Sequence, residues 1–69
     1  NPLVVDADNP ITVTYKGTTL FTCTSLPSNG LTYDSTTKTI SWDINAWNAV
    51  EGHTKVTTND IVIQCYVER

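Results

Sequence analysis

LPSNGLTYDSTTKTISWD, residues 26–43, decides how the chain reads. Pro27 fixes its own φ and Gly30 can take a positive φ, so Leu26 to Gly30 is a sharp turn. Leu31 to Asp34 then alternates apolar and polar, as a strand with one buried face does. Ser35 to Lys38 is a polar break, and the Asp34 carboxylate can hydrogen-bond forward into it. Thr39 to Trp42 alternates again, with Ile40 and Trp42 on the apolar side. The spacing predicts a β-hairpin preceded by a Pro/Gly elbow.

Outward from that unit the pattern stays mostly β. Asn1 to Pro10 opens with a short apolar edge strand around Leu3-Val4-Val5, followed by a polar break from Asp6 to Pro10. Ile11 to Tyr15 alternates, Lys16-Gly17 breaks the run, and Thr19 to Thr24 returns with Phe21 and Cys23 inward. Asp43 to Gly52 changes period. Asp43 can cap a helix, Ile44, Trp47 and Val50 or Glu51 lie about one turn apart, and Gly52 can end it. A helical turn over 44–51 is expected, too short to stand alone. Thr54 to Thr57 is readable as a further strand. Ile61 to Val67 is the clearest one, with Ile61, Ile63, Cys65 and Val67 inward and Val62, Gln64 and Tyr66 outward. Val62 on the outward side also fits a strand buried on both faces.

Composition agrees: Thr is abundant, Val and Ile add to it with some Tyr, and Lys, Glu, Ala and Leu are few, which favours strands. Sixty-nine residues make one domain, 1–69, and a chain of this length buries only about 60% of its unfolded surface. Because the chain starts at Asn1 and not at Met, it is expected to be a processed product or a domain excised from a longer protein.

The residues of the organising stretch also resemble the LPxGLxFDxxTGxIxG signature of the putative-Ig and cadherin-like domains of bacterial surface and phage proteins. Leu26, Pro27, Gly30, Leu31, Tyr33, Asp34, Thr37 and Ile40 fall on the pattern. Asn29 is an extra residue in the elbow, Lys38 stands where the family has Gly, and Trp42 replaces the closing Gly. The resemblance covers about a quarter of the chain. It implies an all-β, small Ig-like β-sandwich of about 6–7 short antiparallel strands, used for adhesion, spacing or assembly, with no catalytic residues to carry over.

Two cysteines, Cys23 and Cys65, lack any CxxC or His-rich neighbourhood, and a tetrahedral zinc site would need more ligands than His53 could add. They read either as a disulfide between two facing strands or as two buried thiols acting as small hydrophobes. A bridge would contribute roughly 4 kcal/mol in the chain-entropy model and would imply an oxidising compartment. The order Cys23, Trp42, Cys65 is also that of immunoglobulin domains, in which a Trp packs on the bridge. The separation of Trp42 from Cys23 is longer than that pattern has, and Ile63 occupies the tyrosine-corner position. The bridge is the expectation carried forward.

Function classes are narrowed by what the residues lack. The net charge is −3, and the four basic residues Lys16, Lys38, Lys55 and Arg69 are scattered, so no basic face exists for nucleic acid or an anionic membrane. No apolar run approaches the ~20 residues of a membrane helix. His53 reads as a solvated loop residue, no serine sits in a GxSxG context, no glycine-rich phosphate loop exists, and Asp34, Asp43, Glu51 and Asp60 all fall at turns. Neither an enzyme nor a cofactor is expected. Asp6, Asp8 and Asn9 resemble a cadherin calcium linker, but an Asp/Asn/Pro turn explains them without a metal. The candidate binding residues are Trp47, because Trp is enriched at interface hot spots, and Tyr66 on the outward face of the last strand. Packing of Trp47 onto the sheets is the competing explanation.

The expectation is therefore a non-catalytic binding or structural module of a cell-surface or virion protein. Its partner would be a protein, a surface glycan, a second copy, or neighbouring domains of the same chain. The alternative is a small secreted disulfide-stapled effector, an enzyme inhibitor or toxin, acting through a rigid Ser25 to Gly30 loop. No N-x-S/T sequon occurs.

Overall fold

The computed structural model describes residues 1–69. Seven strands and one helix follow in the order β1 (Leu3–Val4), β2 (Ile11–Tyr15), β3 (Thr18–Cys23), β4 (Leu31–Asp34), β5 (Thr39–Trp42), α1 (Ile44–Ala49), β6 (Ile61–Gln64) and β7 (Tyr66–Val67). All pairings are antiparallel and form three small sheets: β1-β7, β3-β2-β6 and β4-β5. The chain is mostly β, as its pattern required.

The hairpin turns are set by residues that accept positive φ. Lys16 (50°) and Gly17 (81°) form the two-residue link between β2 and β3, the arrangement whose twist matches the flanking strands. A bulge between Val13 and Thr14 leaves Leu20 as the extra residue of β3, since Val13 faces Phe21 while Thr14 faces Thr19. In the β4–β5 turn the Asp34 carboxylate accepts from the Thr36 and Thr37 amides at 2.9 and 3.2 Å, as its position in the sequence suggested. Lys38 there has φ 57°. It occupies a left-handed position, one that glycine adopts with less strain.

The organising stretch closes on itself. Ser28 and Leu31 exchange backbone hydrogen bonds, Asn29 and Gly30 take φ of 52° and 85°, and the Leu26–Pro27 peptide is cis. The Gly30 carbonyl accepts from the Asp43 amide at 2.9 Å, and the Trp42 indole N–H donates to the Asn29 carbonyl at 2.9 Å. A Cβ on Gly30 would stand 3.1 Å from the Asp43 carbonyl oxygen, so glycine is required both by its φ and by this approach. The elbow is thus docked against the far end of the hairpin it introduces.

Ile11, Val13, Cys23 and Leu31 are buried together, with Leu3, Val5, Leu20, Leu26, Ile40, Ile61 and Ile63 packed around them. A second centre lies under α1. Phe21 stacks on Trp47 at 5.2 Å between centroids, Trp42 lies 5.9 Å from both, and His53 also stacks on Trp47, at 3.6 Å. Asp43 caps α1 by accepting from the Ala46 amide at 3.0 Å, as expected, but the helix stops at Ala49 rather than running to Glu51.

Several expectations are corrected by the fold. Residues 54–57 form no strand. They run irregularly past α1, and the Asn48 side-chain amide takes the place of a neighbouring strand: its Nδ2 donates to the Val56 carbonyl at 2.8 Å and its Oδ1 accepts from the Val56 amide at 2.9 Å. His53 is not a solvated loop residue. Its Nδ1 lies 2.9 Å from the Trp47 carbonyl, and because a carbonyl only accepts, that nitrogen carries the proton.

The Cys23–Cys65 bridge is not formed. Cys23 is buried and Cys65 is exposed, both as free thiols. The reason is topological. β3, which ends at Cys23, and β6, which ends one residue before Cys65, flank β2 in one sheet instead of facing each other across two, so the two strands do not present these cysteines to one another. The inward alternation expected through Val67 also breaks at Cys65, between β6 and β7, and Val67 is exposed.

Candidate interaction surface

Trp47 is unavailable to a partner. It is 6% exposed, its ring is enclosed by Phe21, Trp42 and His53, and its indole N–H donates to the Thr54 carbonyl at 2.8 Å. The Trp sits on the inward side of a two-turn helix that has to bury one face to exist, so packing takes the residue that hot-spot statistics pointed to. Tyr66 is different. It is 43% exposed on β7, beside Val67 at 55%, and Val62 on β6 is 58% exposed. Of the large hydrophobic side chains left in solvent, only Val50 lies outside these two C-terminal strands.

Two concavities adjoin these strands. A cleft of about 110 Å³ lies between the β1–β7 pair and the β4–β5 hairpin, where Cys65 and Val67 meet Tyr33, Lys38 and Ile40. A shallower groove of about 230 Å³ is lined by Trp42, Ile44, Thr58, Ile61 and Ile63. Both are smaller than the roughly 300–1,000 Å³ typical of small-molecule sites. Their apolar walls fit side chains of a macromolecular partner better than an enclosed ligand.

The edge of β6 along the second groove has a defined polarity. The Lys16 backbone amide donates to the Asp60 carbonyl at 3.1 Å, and these two residues continue the register Tyr15–Ile61, Val13–Ile63. In an antiparallel ladder the directly bonded pairs alternate. Asp60, Val62 and Gln64 therefore turn their amides and carbonyls toward β2, while those of Ile61 and Ile63 point away from it. No further strand pairs with β6, and no side-chain hydrogen bond reaches these groups. Sequence alternation gives the face each β6 side chain takes but not which edge of the strand is open, because the backbone groups lie in the plane of the sheet.

The remaining candidates serve local structure. In the Asp6–Asn9 turn, Asp6 Oδ1 accepts from the Asp8 amide, the Asn9 amide and the Asn9 side chain at 2.9 to 3.0 Å. The Asn9 side-chain bond, opposed by desolvation and supported by the Asp8 and Asn9 amides, holds the Asp6 carboxyl below its ordinary value of 3.8. The Ser25 to Gly30 loop is tethered through Ser28 and Asn29 and leaves Pro27 and Asn29 in solvent. No helix is long and apolar enough to cross a membrane. Set against family models, curated proteins and solved structures, the chain matches none.

Proposed function

We propose that the chain is a non-catalytic contact module with an Ig-like arrangement of strands, belonging to a cell-surface or virion protein and acting in adhesion, decoration or assembly. Its partner is a protein or surface glycan. The observation that carries this reading is the gathering of exposed apolar side chains, Val62, Tyr66 and Val67, on the two C-terminal strands. A small domain that leaves such residues in solvent while hiding both tryptophans at least partly is suited to burying them against something else. The signature-like elbow and hairpin of residues 26–41 support the Ig-like arrangement and the extracellular or virion setting.

A photo-crosslinking residue at position 66, in the protein's native source, tests it. Discrete adducts at 66 with none at Thr36, on the exposed β4–β5 turn, are expected. Equal labelling at both positions would refute a contact surface on the C-terminal strands. A second reading, an effector acting through Ser25 to Gly30, is favoured by the tethering of that loop. It predicts that Pro27 and Asn29 substitutions, and not Tyr66→Ser, abolish binding.

A further inference from the structure

We propose that β6 pairs with β6 of a second copy across a two-fold axis through Val62, joining two β3-β2-β6 sheets into one sheet of six strands. This deepens the contact-module reading by naming the partner of one of its strands. It starts from the alternation at the open edge: the amides and carbonyls of Ile61 and Ile63 point outward and have no partner. Unpaired edges are the usual template for adding a strand from another chain.

The register follows from two conditions. A two-fold axis normal to the sheet keeps outward side chains facing outward side chains, so a residue can oppose only one of the same parity. Bonded pairs must also come from the residues whose amides point outward. With Val62 opposite the partner's Val62, Ile61 lies opposite the partner's Ile63 and exchanges both backbone bonds with it. Symmetry repeats the exchange, which makes four bonds. Val62 then forms the close, unbonded pair on the axis, and a side chain that is 58% exposed becomes covered by its own copy.

Charge is compatible with this register. Asp60 comes opposite the partner's Gln64, so no like charges are opposed even though the chain carries a net −3. On the inner side, Ile61 and Ile63 of each copy are brought alongside those of the other. The apolar groove bounded by Trp42, Ile44 and Thr58 then gains isoleucine neighbours. The edge is only four residues long, so the dimer belongs to the small, weak class of interfaces.

Sedimentation equilibrium on the 69-residue chain over a wide concentration range tests the pairing. Wild type is expected to shift from 7.6 kDa toward twice that mass as concentration rises to about 1 mM. Exposed residue 62 can be changed without disturbing the core, as unchanged circular dichroism melts would verify. Val62→Lys and Val62→Glu are each expected to weaken association at least tenfold, because like charges then meet on the axis. An equimolar mixture of the two is expected to restore it, since only a residue that faces itself is rescued in this way. Amide exchange at Ile61 and Ile63 is expected to slow with concentration in wild type alone.

A wild type that stays monomeric throughout, a Val62→Lys variant that dimerises normally, or a mixture that fails to recover would each overturn the proposal. Adducts at position 66 would be unaffected by any of these results, so failure here is separable from failure of the contact-module reading.

Discussion

Removing the Asn48 side chain tests most directly how the irregular half of the chain is held. Residues 53–57 lack a strand partner, and Asn48 supplies what a neighbouring strand would: a donor to the Val56 carbonyl and an acceptor for the Val56 amide, at 2.8 and 2.9 Å. Each such bond contributes about 0.5–1.5 kcal/mol net. Val56 is 5% exposed, so water reaches its freed backbone groups poorly, and Asn48→Ala should cost about 2–3 kcal/mol. A chain of this size loses about 4–8 °C of Tm per kcal/mol, which makes the expected drop roughly 10–20 °C.

Urea unfolding followed by tryptophan fluorescence measures the loss, and amide exchange locates it, with Val56 losing protection first. Asn48→Asp adds a sign test. It keeps an acceptor for the Val56 amide but sets a second anionic oxygen against the Val56 carbonyl. At neutral pH it should be at least as damaging as alanine. It should recover relative to alanine as pH falls and the protonated carboxyl donates again. An Asn48→Ala variant within about 0.5 kcal/mol of wild type, with Val56 still protected, would refute the clamp.

Gly30→Ala should destabilise by about 1–3 kcal/mol in the same assay, because φ is 85° and the new Cβ would press on the Asp43 carbonyl at 3.1 Å; an unchanged melt would contradict this. A thiol reagent should modify one cysteine, Cys65, in the native protein and the second, Cys23, only on unfolding, and an intact mass two hydrogens short before reduction would contradict the free thiols. Asp6 has a depressed folded-state pKa, so its contribution to stability is present above the unfolded value and disappears as pH falls through the lower folded one. Asn9→Ala should move the Asp6 carboxyl back up toward 3.8 in an NMR titration, and no movement would mean the side-chain bond is not its main cause.

Local chemistry determined a good deal of this protein. The elbow at Leu26 to Gly30, the Asp34 turn, the Asp43 cap and the alternation of β2, β4 and β5 all depend on residues within a few positions of one another, so sequence is enough to place them. Strand neighbours are another matter. Alternation says which way a side chain points along its own strand but not which strand lies beside it. Cys23 and Cys65 could therefore be read as facing partners, until β2 was found between β3 and β6. His53 looked like a surface residue because its own loop is polar, and Trp47 was readable either as a contact residue or as packing; what decides for packing is Phe21, brought from β3, which stacks on Trp47 beside Trp42. The Asn48 clamp has no local signature, since an amide eight residues before its partner signals nothing until the chain folds back. The open edge of β6 is likewise a property of the sheet, because only the set of strands actually paired shows which backbone groups are left without a partner.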